Sequence, residues 1–367
     1  MKSNIKFPKM DKNNSVDIQD KNIYTLIDFS ENINGGSMTY AQLLHQGLLK
    51  LKRNIKLIRP NNASKKFLFR VSKLLNLFVY LLKILRINIL NKNTIFITPP
   101  PISAFFLLAI KNKSVYYICH GPWGDEYKDI NKKKYFYKLN YSLREKIQTY
   151  ILQNSQKVFF VSEYMFNYVN EKLRGELGNR FIQILGPIID SSSIKSSFLN
   201  GSRKNGVIVR RLVPRTGVFD LLIKLQKEKI CIDVNIVGTG NQFKDIQRLS
   251  KTSLSKVFVK GELSDAERNE IFKKSIVCIL PSIALEGFGL VILEAISFGC
   301  IPIVSNMAGG GRDWLIKYDA NIVYDGSVKD LNRAINYAIK NYDYLDRILK
   351  KEINQFLPTK VAIKVFN

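Results

Sequence analysis

From residue 22 onward the chain alternates short runs of β-branched and aromatic residues with longer stretches whose apolar side chains recur at helical spacing. Candidate strands in the first half are IYTLIDF, NIKLIRP, TIFITPP, SVYYICHG, KVFFVSE and FIQILGP. The second half offers GVIVRRL, DVNIVGTG, KVFVKGE, IVCILPS, PIVSN and NIVYDG. A run that is apolar throughout, rather than at alternate positions, is a strand buried on both faces, and the helix-period segments between runs supply the covering layers. The pattern therefore predicts an α/β protein with two doubly wound parallel sheets. Ser, Asn and Gly crowd IIDSSSIKSSFLNGSRKNG at 188–206, as an inter-domain connection requires. The expected organisation is a polar mobile arm at 1–21, a Rossmann-like domain at 22–190, a linker at 191–206, a second Rossmann-like domain at 207–350 and a terminal helix at 351–367. Ligands of such sheets sit beyond the carboxyl ends of the strands, so two facing sheets share one cleft. The chemistry should then lie on strand-to-helix turns.

A length of 367 residues suits two domains, and a hydrophobic content of 46% suits globular cores. Charge changes the picture. Lys and Arg number 57 against 30 Asp and Glu, a net +27. Residues 1–190 hold 30 basic and 13 acidic side chains, and no Asp or Glu occurs between Glu31 and Asp125 while fourteen Lys or Arg do. Such an excess implies a polyanionic neighbour, which could be anionic lipid, a phosphorylated substrate or nucleic acid. Within this stretch KKFLFRVSKLLNLFVYLLKILRIN, 65–88, places Lys65, Lys66, Arg70, Lys73 and Lys83 on one helical face and Phe67, Val71, Leu74, Phe78, Leu82 and Leu85 on the other. Its charge-free run is too short to span a bilayer. The pattern fits an interfacial helix on an anionic membrane, or equally a domain helix with its apolar face on the sheet. Cys119, Cys231, Cys278 and Cys300 are far apart, form no CxxC pair, and read as reduced core residues of a cytoplasmic protein. The first residues carry no apolar signal-peptide core.

The densest candidate chemistry is PSIALEGFGLVILEAISFGCIPIVSN, 281–306. A strand ends at Pro281, a loop follows, and a helix is expected from Phe288–Gly289 to Phe298 with Gly299 at its C-terminal cap. Glycines in the first turn let a ligand approach the free amides of Gly289, Leu290 and Val291, a phosphate site by dipole and by unsatisfied donors. Glu286 stands before the helix and Glu294 lies about two turns inside, ~80° round the axis. A carboxylate accepts two bonds from a vicinal diol, so both acids suit sugar hydroxyls. No acidic pair of the DXD type stands at a strand end, so metal-bridged diphosphate binding is not expected; no cofactor is expected either.

With its flanking "LPS…LEGFGL…LEA…G…P", this stretch resembles the EX7E motif of the family-four retaining glycosyltransferases, whose GT-B fold sets two Rossmann-like domains face to face. The resemblance implies a nucleotide-diphosphate-sugar as co-substrate, with Glu286 on the sugar, the turn Gly287–Phe288–Gly289–Leu290–Val291 on the phosphates and Glu294 on the ribose. VIVRRLVPRTG, 207–217, is similar to the family's diphosphate-binding loop. Arg211 matches its arginine, and Thr216 stands where it usually has lysine, leaving Arg215 as the nearest basic substitute. Read without the family, Arg210 and Arg215 are solvated surface charges. SENINGGSMTYAQLL, 30–44, resembles the first glycine-rich turn, with Gly35 and Gly36 at the phosphates and Ser37 available as a helix cap. ICHGPWGDEY, 118–127, resembles the loop whose histidine, here His120, sits beside the transferred sugar, whereas His45 falls in a helix pattern. Gly238 in IVGTGNQF and Gly261 in VFVKGELSDAE match turns near the nucleotide. Ser264 and Glu267 read as a capping box. FIQILGPIID only partly matches the family hinge, and EINQFLPTKVAIKVFN looks like the terminal helix that crosses back to the first domain, cut short.

The family is thought to react by front-face attack without a protein nucleophile. The resemblance thus implies a hexosyltransferase working with retention and without metal, on a polyprenyl-diphosphate-linked or other lipid-linked saccharide, in surface polysaccharide biosynthesis (capsule, O-antigen or lipopolysaccharide). The expected location is cytoplasmic, peripheral on the inner face of the plasma membrane, with the anionic membrane surface as a partner. The competing readings are a GT-B sugar-nucleotide epimerase or phosphorylase, and a basic protein that binds nucleic acid. The last is disfavoured because the basic residues are interleaved with aliphatic runs rather than with an aromatic platform, and no nucleic-acid partner is expected.

Overall fold

The computed structural model describes residues 22–26, 36–51, 54–59, 69–90, 94–112, 114–125, 136–175, 177, 181–189, 203–284 and 286–366. The expected arm at 1–21, the turn carrying Gly35 and most of the 191–206 linker lie outside them. Among the described residues, twelve strands form at the twelve apolar runs. In the first half the order is β1 (Asn22–Leu26), α1 (Gly36–Lys50), β2 (Ile55–Ile58), α2 (Phe69–Leu90), β3 (Thr94–Thr98), α3 (Pro101–Ala109), β4 (Val115–Cys119), α4 (Tyr137–Asn154), β5 (Lys157–Phe160), α5 (Glu163–Lys172) and β6 (Phe181–Ile184). The strands pair in parallel in the order β2-β1-β3-β4-β5-β6. β3, β4 and the last three residues of β5 are buried, as strands covered on both faces must be.

The second half runs β7 (Asn205–Val209), α6 (Val218–Lys224), β8 (Val234–Val237), α7 (Phe243–Thr252), β9 (Val257–Gly261), α8 (Asp265–Lys274), β10 (Ser275–Leu280), α9 (Leu290–Ser297), β11 (Ile301–Ser305), α10 (Gly309–Ile316), β12 (Val323–Tyr324), α11 (Val328–Lys340), α12 (Tyr342–Ile353) and α13 (Pro358–Lys364). Its parallel sheet has the order β12-β11-β10-β7-β8-β9. β7 opens at Asn205, inside the expected linker. Strand order reverses between β1 and β3 in one sheet and between β7 and β10 in the other. These reversals are the switch points where neighbouring connections leave in opposite directions and a crevice opens.

The C-terminal segment is not one helix. α12 ends at Ile353, a 3₁₀ turn covers Asn354–Phe356, and Pro358 starts α13. α13 packs on α1 of the first domain, where a Cβ at Gly47 would overlap the Pro358 carbonyl. Ile189 N donates to Phe356 O at 3.0 Å, so the two inter-domain crossings run side by side.

Three local expectations change. Ser37 falls inside α1, whose first residue is Gly36, so it is not at the cap position. Cys231 is exposed, while Cys119, Cys278 and Cys300 are buried. α2 buries Tyr80 and Ile84 and leaves Phe78 and Leu82 in solvent, so these two residues of the expected apolar stripe do not meet the sheet, while the side chains of Phe67, Val71 and Leu74 lie outside the described ones. The reason is that α2 is apolar around most of its circumference, and periodicity alone cannot choose between its faces.

Candidate active site

The loops after β7 and β10 flank the switch point of the second sheet. The β7 loop begins with Arg210, whose amide is still bonded to Val237 O at 3.0 Å. It then turns through a 3₁₀ segment, Pro214–Thr216, to Gly217 at φ 69°. A Cβ at Gly217 would overlap the Pro281 carbonyl, and Ile283 N donates to Arg215 O at 3.1 Å, so the two loops touch. The Thr216 hydroxyl donates to Arg211 O at 2.9 Å and Val213 O at 2.7 Å. Where a lysine would reach outward, this residue is buried and stitches its own turn.

Glu286 receives the side chain of Arg210. Arg210 Nη2 lies 2.7 Å from Glu286 Oε2, with the two side chains 9% and 18% exposed. Ser282 Oγ donates to the same oxygen at 2.8 Å, and Arg210 Nη1 donates to Ser282 Oγ at 3.1 Å. Oε2 is thus doubly engaged and Oε1 is left over, beside Gly289 at the start of α9. Burial pushes the carboxyl up, but the charge and hydrogen bond of Arg210, with Ser282 and Arg215, outweigh it and hold the group below the usual carboxylate range. Arg210 is therefore not a solvated charge. Arg211, its neighbour, is exposed at the mouth of the same loop.

Gly289 adopts φ 85°, a left-handed conformation that lets the chain turn sharply into α9. The amides of Leu290 and Val291 then stand in the first turn, where no preceding helical carbonyl can accept them. The Phe288 ring is buried against Trp314 and Phe356, so only its backbone can face a ligand. Glu294 is half-buried one turn further in, on the side of Asp265 and Arg268 of α8. Burial raises its pKa, against the opposing charge of Arg268, and Ser297 Oγ donates to its backbone carbonyl at 2.7 Å. Gly238, at φ 131°, has no room for a Cβ because the Arg210 carbonyl lies against it, and its amide donates to Gly261 O at 2.7 Å. These two glycines bring the ends of β7, β8 and β9 together. Ser264 and Glu267 form the capping box of α8.

The first domain closes the other side. Its β4 loop carries His120, whose carbonyl packs on Gly287 so tightly that a Cβ there would overlap it. Tyr40 of α1 meets the imidazole edge-on at 4.6 Å between centroids and donates its hydroxyl to Gly186 O at 3.1 Å. Among the described residues His120 Nε2 is buried without a partner, and burial pushes the imidazole down to about 4, so the ring is neutral at pH 7. Ser162 Oγ donates across the cleft to Gly287 O at 2.6 Å and also caps α5 by accepting from Met165 N at 3.1 Å. Gly310 of α10 packs on both Gly287 O and Ser162. Gln148 of α4 fixes the His120 loop by accepting from Trp123 N and donating to Gly121 O, each at 2.8 Å, while Arg144 lies 4.3 Å over the Trp123 ring. Nothing in the sequence around Gln148 marks it, because its partner loop is 25 residues away.

The arrangement brings the His120 loop, Glu286 and Gly287 to the start of α9, with Arg211 and Arg215 on the β7 loop and Glu294 toward α8. Gly36 opens α1 on the opposing domain. A charged ligand can be met along this line by two arginines and a helix start, and its hydroxyls by two carboxylates.

Residues 191–355 match the family model of glycosyl transferases group 1. No curated protein matches the sequence. Among solved structures, sucrose-phosphate synthase from Thermosynechococcus elongatus superposes with a TM-score of 0.69 at 15% identity, covering 95% of both chains. The lipopolysaccharide outer core galactosyltransferase WaaB gives 0.63 at 16% identity, over 94% of this chain and 98% of that one. Anabaena HepE, in complex with UDP and glucose, gives 0.62 at 13% identity, over 95% and 96%. The fold is GT-B, and together with the family match it supports a glycosyltransferase.

Proposed function

We propose that the chain is a retaining, metal-independent hexosyltransferase. It moves a sugar from a nucleotide-diphosphate donor to a hydroxyl of a membrane-linked saccharide or lipid, with a polyprenyl-diphosphate-linked saccharide of surface polysaccharide assembly as the acceptor class. It acts peripherally, at the cytoplasmic face of an anionic membrane. No described helix is long and apolar enough to cross a membrane. The observation that carries the reading is the Arg210–Glu286–Ser282 cluster at the switch point, with the His120 loop packed on the next residue, Gly287.

The donor diphosphate lies on the first turn of α9, with Arg211 and Arg215 balancing its charge, and the ribose hydroxyls reach Glu294. Oε1 of Glu286 accepts a hydroxyl of the sugar. Because Oε2 is committed to Arg210 and Ser282, Glu286 orients the ring rather than attacking it, which favours a reaction without a covalent enzyme intermediate. The acceptor hydroxyl enters on the face that the diphosphate leaves, its oxygen bonds to the anomeric carbon as the carbon–phosphate-oxygen bond breaks, and its proton passes to the departing phosphate. The neutral His120 sits beside this exchange without adding a positive charge to the developing cationic ring. Preorganised charge at the leaving group supplies most of the rate, on the order of 10²–10³ for each donor removed.

The test is a thermal-shift screen of nucleotide-sugars, beginning with UDP-sugars because a protein of this fold holds UDP and glucose. A donor at 100 times its Kd stabilises by about 2.7 kcal/mol. Transfer by wild type but not by Glu286→Ala or Arg211→Ala is expected. Full activity in those variants refutes the site, and the absence of any nucleotide-sugar shift refutes the activity.

A further inference from the structure

The helices on one side of the first sheet carry an unusual outer surface. β2 to β6 are laid down in one direction, so right-handed crossovers place α2, α3 and α4 side by side on the same face. α2 touches α3, with Tyr80 OH and Ser103 Oγ 2.9 Å apart, and α3 touches α4, with the Phe105 and Tyr150 rings 5.8 Å apart. The inner side of this layer is closed by Tyr80, Ile84, Leu107, Ile151 and their neighbours. The outer side should be polar, and it is not. α2 exposes Leu75, Phe78, Val79, Leu82, Ile89 and Leu90, with Phe78 at 59% and Leu90 at 68%. α3 adds Ile102 and Phe105, and α4 adds Leu139 and Leu143 with Phe136 just before it.

These side chains sit on three helices that adjoin one another on one face of the sheet, and isolated exposed apolar residues would need no explanation whereas a cluster on adjoining helices does. Its charges have one sign. Lys83 and Arg86 of α2 and Lys138 and Lys146 of α4 are exposed among the apolar groups. α2 and α3 contain no acidic residue, and the single acid of α4, Glu145, is held by Lys172. A second copy of the chain would bring two cationic faces together. A bilayer with anionic headgroups instead accepts the apolar side chains below the headgroups and the cations at their level.

We infer that α2, α3 and α4 together form the surface on which the first domain docks to an anionic lipid bilayer, with the three helices lying along the headgroup layer. The contact is broader than the single amphipathic segment expected at 65–88, and its α2 residues are those turned away from Tyr80 and Ile84. It names the surface used by the membrane partner of the function proposed above and rests on that reading only in this respect. Geometry links the two. Pro101 starts α3 three residues after β3 ends, so Ile102 stands at the cleft rim, where an acceptor anchored in the docked membrane would enter.

Sedimentation of the full chain with vesicles tests it. Wild type should bind vesicles of phosphatidylcholine containing phosphatidylglycerol, bind pure phosphatidylcholine weakly, and release as salt rises. Phe78→Glu/Leu139→Glu should lower binding by at least about tenfold, and Lys83→Glu/Arg86→Glu should remove most of the salt-sensitive part. Ile339→Glu, an exposed apolar position on α11, serves as control and should bind as wild type does. All sites are exposed, so thermal unfolding should be unchanged. Equal binding by the Phe78→Glu/Leu139→Glu and Ile339→Glu proteins overturns the inference. So does a wild-type dimer that dissociates in the double variant while neither form binds vesicles. Donor-induced thermal shifts without vesicles should be the same in every variant, so a protein that binds vesicles through this face but no nucleotide-sugar would sink the enzyme reading alone.

Discussion

Replacing Arg210 by alanine isolates the electrostatics of the candidate site. The change removes the close cation from a carboxylate whose side chain is 18% exposed, leaving Ser282 and the more distant Arg215. Deleting one partner of a buried ion pair costs about 3–5 kcal/mol because the other charge stays buried. The residual exposure and the Ser282 bond reduce this to about 2–3 kcal/mol at neutral pH. The pH dependence gives the sharper signature. In wild type the Glu286 carboxyl is held low, so its contribution to stability is present above the unfolded carboxylate range and is lost as pH falls through the folded value. Without Arg210 burial dominates and the folded pKa rises above the unfolded one, so the variant loses stability as pH climbs through it. Thermal unfolding at pH 5 and pH 8 should show the larger deficit at pH 8. Adding Glu286→Gln to Arg210→Ala should recover most of that deficit. A deficit that is the same at both pH values, or one that Glu286→Gln leaves untouched, refutes the pairing as the cause.

Ser162→Ala removes both the bond to Gly287 O and the α5 cap, and should cost about 1–2 kcal/mol in thermal unfolding, whereas Ser162→Thr should retain much of it. Gly238→Ala forces a side chain into φ 131° against the Arg210 carbonyl, and should cost more than about 2 kcal/mol and weaken donor binding; Gly175→Ala, at φ 81° but in open space, should cost less. His120 is neutral in the fold down to about 4, so between the unfolded histidine value and that point the unfolded chain binds more protons and stability falls as pH drops. His120→Asn should flatten this acid limb of the stability profile and reduce transfer, and an unchanged limb would contradict the burial of the imidazole.

The fold was legible because its strands are short and continuously apolar, which leaves helix-period segments only one role. The helix at Leu290–Ser297 and its glycine entry were legible for the same kind of reason, since Gly289 and Gly299 punctuate an apolar run. What stayed hidden depended on direction. Arg210 and Arg211 are adjacent at a strand end, and successive side chains point to opposite sides there, so only the three-dimensional register shows that Arg210 turns in to Glu286 and Arg211 turns out. Thr216 reads as a missing cation in sequence but closes its own turn in space. α2 offered apolar residues on more than one face, and the sheet took Tyr80 and Ile84. Gln148 could be found only once α4 was laid beside the His120 loop.

The paired crossings between the domains have a mechanical consequence. A chain that passes once between two bodies leaves them free to swivel and tilt about the connection. Here it passes out between β6 and β7 and returns between α12 and α13, with Ile189 and Phe356 hydrogen-bonded where the two passages meet. Two strands fastened side by side define a line, as two pins define the axis of a door. A double connection tied in this way favours swinging about the tie over free rotation of one domain on the other.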